Sequence, residues 1–310
     1  MELTASDIKK TALSLGFSAC GIARAIPLTA EKQYFTSMIE NGTQATLAYL
    51  ERDIEVRFSP ALLLPGCKSV IVVLYNYLTG KKLEADYKIA KYAFIKDYHV
   101  FIKNKLERVV EMISEAYPEA HCKITVDSAN ITEKNWAVKA GLGYIGKNSL
   151  LQTDNGSFFL IGTILTDVVF EYDAEKISNC GSCMRCVEAC PVHAITKPYQ
   201  VDISQCISFH TIENKEITDN SANTFQWVFG CDVCQDICPN NKNSKPNPDA
   251  LDKISLFLHF KNADFENLTK EEFQNCFKDS CVTRRKYEKF TERVNKVKIE
   301  LNGKPNSKSE

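Results

Sequence analysis

CGSCMRCVEACP, residues 180–191, sets four cysteines ahead of a proline. Cys180, Cys183, Cys186, Cys190 and Pro191 reproduce C-x2-C-x2-C-x3-C-P, in which three thiolates of one tight loop grip a 4Fe-4S cube and the fourth ligates a second cube. Such a half needs a partner, and a degenerate one follows: Cys206, then Cys231, Cys234 and Cys238 before Pro239. The crossover rule assigns Cys180, Cys183, Cys186 and Cys238 to one cluster, and Cys190, Cys206, Cys231 and Cys234 to the other. Paired C-x2-C steps also build zinc ribbons, but zinc does not need the x3-C-P ending twice. Cys20, Cys67, Cys122, Cys276 and Cys281 stand outside the pattern and read as small buried hydrophobes.

Outward from this module the texture changes. At 310 residues the chain has room for one large core plus a smaller unit. Upstream, a helix over residues 5–15 capped by Thr4 and closed by Gly16 leads into the strand-like FSACGIA. Further strands are expected at Ser69–Tyr77, at Lys123–Val126 and as a pair within Ser157–Phe170, with helices at Asp97–Ala116 and Glu133–Ala140. Residues 1–170 therefore read as a layered α/β (α+β) domain, 171–245 as a two-cluster, ferredoxin-like module, and 246–310 as a helical, basic tail with a disordered end. The formal net charge of -1 means that any nucleic-acid contact must be a local patch. Nothing at the N-terminus reads as an export signal and no run is long enough to span a membrane, so a cytoplasmic protein is expected, whose 13 cysteines are not disulfides and eight of which read as metal ligands.

GLGYIG, residues 141–146, matches G-x-G-x-x-G but follows a helix, whereas a dinucleotide fingerprint follows a strand and opens a helix. These glycines are expected to end that helix and to let backbone approach a bulky ligand, with Lys147 and Asn148 turned towards it.

Five segments, YLERDIEVRFSPALLLPGCKSVI, AKYAFIKDYH, VDSANITEKNWAVKAGLGYIGKNSLL, CGSCMRCVEACPVHAI, and CISFHTIE with FGCDVCQDICPNN, together resemble the epoxyqueuosine reductases, cobalamin-dependent iron–sulfur enzymes of queuosine biosynthesis in tRNA. The resemblance implies a short form without the helical-repeat domain that many members carry, and a base-off cobalamin between the α/β domain and the clusters. Cob(I)alamin generated through the clusters would then reduce epoxyqueuosine to queuosine. It also implies contacts to the corrin from Arg57, Asp97, His99, Asp127, Lys147, Asn148 and Ser208. Asp127 at a strand end suits either a helix cap or a general acid whose pKa is raised by desolvation, and the resemblance favours the acid. Asn130 stands where the family has proline, which predicts a less rigid turn after Asp127. Arg284, Arg285, Lys286, Lys289 and Arg293 are expected to follow the tRNA backbone. The implied partners are epoxyqueuosine tRNA and an electron donor such as flavodoxin or ferredoxin, with no membrane and a monomeric enzyme. Two other readings stand beside this one, a corrinoid reductive dehalogenase-like enzyme and a non-catalytic ferredoxin-type electron carrier.

Overall fold

The computed structural model describes residues 3–127, 129–215 and 223–302. Helix α1 (Ala5–Ser14) starts at Thr4, whose hydroxyl accepts from Asp7 N while the Asp7 carboxylate accepts from Thr4 N, a reciprocal capping box. The chain turns at Gly16 (φ +87°) into strand β1 (Ala19–Arg24). Strand β2 (Ser69–Asn76), helix α2 (Tyr98–Ala116), strand β3 (Cys122–Thr125), helix α3 (Glu133–Lys139) and strand β4 (Phe159–Thr166) follow. The sheet order is β1-β2-β4-β3, every neighbour antiparallel, with Ala19 opposite Leu74, Ser69 opposite Thr166 and Cys122 opposite Thr166.

Both faces of this sheet are covered. Ile22, Ile71, Val73 and Ile164 pack with Ile8 of α1 and with Ile102 and Leu106 of α2. On the other face Val70, Val72, Leu74 and Leu165 pack with Trp136 and Ala137 of α3. That double burial explains why SVIVVLYN shows no polar alternation: only its last residue escapes full burial. At Gly162 a Cβ would sit 2.9 Å from Ile102 and from Leu106, so the bare backbone of β4 lets α2 lie close. The expected pair of strands within Ser157–Phe170 is one eight-residue strand, because β2 and β3 occupy its two edges and leave no place for a hairpin.

The C-terminal segment is not a tail. Helix α4 (Lys270–Phe277) and helix α5 (Tyr287–Asn302) bury Phe273, Phe277, Phe290, Val294 and Val297 in a second core. Phe257 and Phe277 stack there at 4.9 Å between ring centroids. The same core takes in Tyr87, Ile89, Ala93 and Phe94, and the short strand Lys88–Ile89 pairs in parallel with Trp227–Phe229. A segment ahead of α2 thus shares its core with the last helices, which the linear division at 170 and 246 did not anticipate. The end expected to be disordered lies largely outside the described residues, since α5 runs to Asn302. Among the described residues no helix is long and apolar enough to cross a membrane.

Candidate functional site

Each cysteine loop makes a turn and a four-residue helix, Arg185–Glu188 in one and Val233–Asp236 in the other, and the two short helices pack together. A proline after Cys190 and Cys238 pushes the preceding residue out of the helical region, and Cys238 is indeed extended (ψ 123°). The last cysteine of each loop therefore leaves its own turn and faces the other half. Cys180, Cys183, Cys186 and Cys238 line one cavity of about 210 Å³. Cys190, Cys206, Cys231 and Cys234 line a second of about 380 Å³. Burial pushes the Cys231 thiol up to about 12, with Cys206 and Cys190 adding to it, and holds Cys234 higher still. Thiols crowded in this way do not ionise together unaided; iron supplies the compensating positive charge, so the donor sets suit two clusters. Asn148 lines both cavities and donates to Cys234 O at 3.2 Å.

The larger cavity extends beyond its cysteines to an apolar wall that includes Leu150, Phe159, Leu160, Ile195 and Ile207, with Tyr98 at its edge and Ser208 beside Cys206. Tyr98 is also part of a second hollow of about 210 Å³ with Tyr92, Asp97, His99, Cys281, Thr283 and Arg284. Asp127 stands at this junction. Its Oδ2 accepts from the Tyr98 hydroxyl at 3.0 Å and lies 3.3 Å from His99 Nε2, while His99 Nδ1 lies 2.6 Å from Asp97 Oδ1. Asp97 in turn caps α2 through His99 N at 3.0 Å. Asp127 itself has a left-handed backbone (φ +56°), and its N–H donates to Glu133 Oε1 at 2.7 Å.

The electrostatics differ from expectation. The Asp127 carboxyl is held below its usual range by the hydrogen bond with His99, outweighing burial, with Tyr98 adding to the effect. Its side chain is 50% exposed, so desolvation does not govern it. His99 is pushed up to about 9 by Asp127 and then Asp97, and Glu133 up to about 8 by burial. The stored proton therefore resides on His99 and Glu133 rather than on Asp127.

Other expected residues also move. Lys147 does not reach the apolar cavity; its Nζ donates to Gly181 O and Cys183 O, because the turn after GLGYIG lies against the first cysteine loop. The glycines end α3 as expected, with Gly141 at φ +70°, but the backbone they admit belongs to the chain itself: a Cβ on Gly143 would lie 2.1 Å from Gln152 O, and one on Gly141 2.5 Å from Ala174 O. Arg57 stacks over Phe35 at 5.3 Å and donates to Tyr49 O at 3.3 Å, away from the cavity wall. The side-chain amide of Asn130 donates to Asp53 O at 3.0 Å, bracing the turn that proline would otherwise stiffen. Arg285 and Arg293 cannot follow a phosphate backbone, since both are buried: their positions on the 281–285 turn and on α5 face the core. Arg284 is half-exposed, bonds Glu213 at 2.8 Å and lines the hollow beside His99, while Lys286 and Lys289 remain towards solvent. Sequence reasoning passed over Tyr98, although it sits between two chosen residues, and Glu133, which reads as an ordinary acid in a first helical turn.

Residues 179–241 match the family 4Fe-4S double cluster binding domain, and residues 57–128 match the family Epoxyqueuosine reductase QueG, DUF1730. The epoxyqueuosine reductase of Cyclobacterium marinum is 41% identical over 303 residues, which is 94% of this chain and 96% of that protein. The structure of epoxyqueuosine reductase from Streptococcus thermophilus superposes with a TM-score of 0.87 at 26% identity, covering 96% of this chain and 82% of that one. A crystal structure of epoxyqueuosine reductase with a tRNA-Tyr epoxyqueuosine-modified stem loop gives a TM-score of 0.85 at 25% identity, covering 94% and 80%.

Proposed function

The chain belongs to the epoxyqueuosine reductase family, and from that premise we propose that it reduces epoxyqueuosine in tRNA to queuosine with a cobalamin seated in the apolar cavity and Asp127 delivering a proton. One observation carries the reading: Tyr98 belongs to the wall of the cavity that the second cysteine set lines, and it also bonds Asp127. Electron source and proton source thus meet at one place. The apolar wall suits the face of a corrin, and Ser208 on its rim offers a polar group to its amide side chains. Bound there, cobalamin would supply the low-valent cobalt chemistry that reduction of an epoxide requires.

The protein's own part is binding and proton handling. Converting an epoxide to an alkene and water consumes two electrons and two protons, and both protons end on the departing oxygen. His99 holds a proton at neutral pH and touches the Asp127 carboxylate, so it can recharge that group between turnovers. A nucleobase filling the hollow would expel water from Asp127 and shift the shared proton towards the carboxyl. Arg284, Lys286 and Lys289 are the cations left to meet tRNA phosphates once Arg285 and Arg293 are set aside as buried. Reduced flavodoxin or ferredoxin would feed electrons in through the first cluster.

Anaerobically reconstituted protein given hydroxocobalamin and freed of unbound corrin should retain about eight irons and one cobalt per chain. It should also convert epoxyqueuosine tRNA. Asp127→Asn should keep both metals and lose about 10²- to 10⁴-fold in rate. Eight irons without retained cobalt would overturn the corrin reading and return the chain to an electron carrier.

A further inference from the structure

Lys147 is only 7% exposed, yet its ammonium has no carboxylate partner among the described residues. Its Nζ donates to Gly181 O at 2.7 Å and to Cys183 O at 2.8 Å, and lies 3.6 Å from Met184 Sδ. All three acceptors sit on the loop that carries Cys180, Cys183 and Cys186, and Lys147 itself lines the cavity shared by those thiols and Cys238. It has no place in the wall of the cavity that holds Cys190, Cys206, Cys231 and Cys234.

A buried ammonium is costly without a nearby anion, and two carbonyl dipoles repay only part of that cost. The anion within reach is the cluster. Four thiolates outweigh the charge of the iron–sulfide cube they hold, so the assembly is anionic when oxidised and carries one more negative charge when reduced. A fixed positive charge close by favours the more negative state, and does so strongly where water is excluded. The two hydrogen bonds also draw electron density away from the peptide groups that follow Gly181 and Cys183 in the cysteine loop, which acts in the same direction.

We propose that Lys147 raises the reduction potential of the cluster held by Cys180, Cys183, Cys186 and Cys238 through its charge, leaving the other cluster's potential largely unchanged. The step concerned is a one-electron reduction in which the electron comes from the external reductant and no bond forms or breaks. Its effect is to make the first cluster the readier acceptor, so that an incoming electron arrives there before passing inward past Asn148. The inference needs the clusters alone and stands whether or not the chain acts on epoxyqueuosine.

The test is an EPR-monitored titration with dithionite on the full-length, cluster-reconstituted chain, comparing wild type with Lys147→Met, Lys147→Gln and Lys147→Arg. Cys180→Ser marks the midpoint that belongs to the first cluster. Glutamine keeps a donor for the two carbonyls and removes only the charge, so it is informative even where methionine disturbs cluster loading. One of the two midpoints should fall in the methionine and glutamine variants, the one marked by Cys180→Ser, and arginine should restore it. Unchanged midpoints in a fully loaded glutamine variant would overturn the proposal, as would equal shifts of both clusters or a shift confined to the unmarked one.

Discussion

The four-stranded sheet and the cysteine module solve the same problem, holding a chain in one shape, by different means. Across the sheet, Val70, Ile71, Val72, Val73 and Leu74 are each at most 1% exposed and are gripped from both sides. Among the described residues, the apolar cluster beside the cysteine module has Ala90, Ile207 and Trp227 as its buried members, and the strands there run to two or three residues. What remains are eight thiols facing two cavities, a pattern that becomes favourable only when iron binds. The sheet is stabilised by expelling water, the module by a bond to something the chain does not encode. Metal should therefore matter locally.

Cys231→Ala would break that contrast most severely. It should abolish one cluster, lower bound iron by about half and eliminate turnover, while far-ultraviolet circular dichroism keeps the signal of the sheet and its helices. Global unfolding on iron removal would instead mean that the module supports the sheet. Ile71→Ala makes the converse cut: a fully buried side chain at the centre of β2 is removed, costing about 2–5 kcal/mol in chemical denaturation, with iron content unaltered. Loss of iron in that variant would show that the two regions melt as one.

A smaller effect lies at the seam between them. His99 titrates at about 9 in the folded chain against about 6.5 in model peptides, and Glu133 at about 8. Both folded values are raised, so the folded state binds the extra protons. The stability they contribute is complete below their unfolded values and is lost as pH rises through about 8 and then 9. Melting temperature should accordingly fall by a few degrees as pH rises from about 4.5, the ordinary value for Glu133, to about 9, and His99→Gln with Glu133→Gln should flatten the slope. An unaltered slope in the double variant would place the titration elsewhere.

How much of this was legible beforehand depends on the range of the signal. Thr4 ahead of residues 5–15, the apolar run at 69–77 and the amphipathic 97–116 are local patterns, and each became the expected element within a residue or two. Hydropathy could not distinguish a strand pair within 157–170 from one long central strand, because both are apolar and only sheet neighbours decide. Basic residues at 284–293 read as one charged face, yet the 281–285 turn preceding α5 rotates Arg285 inward beside Arg293 and leaves Arg284 at the site. Lys147 gave a cation next to a glycine run, with nothing in the sequence to say which cavity it would serve.

By itself the sequence pointed to the two cysteine groups that the fold brings around two cavities, since thiol spacing and the prolines after Cys190 and Cys238 are short-range signals. It determined the doubly covered sheet as well, because a strand without polar alternation has to be buried on both faces. Tertiary structure alone decided the protonation of Asp127, through a tyrosine and a histidine from α2 meeting a strand end, and the partner of Lys147, through a turn of the α/β unit pressed onto a cysteine loop. The physical reason is common to both: a pKa or a potential is set by charges and dipoles a few ångströms away in space, and those neighbours come from segments far apart in the chain.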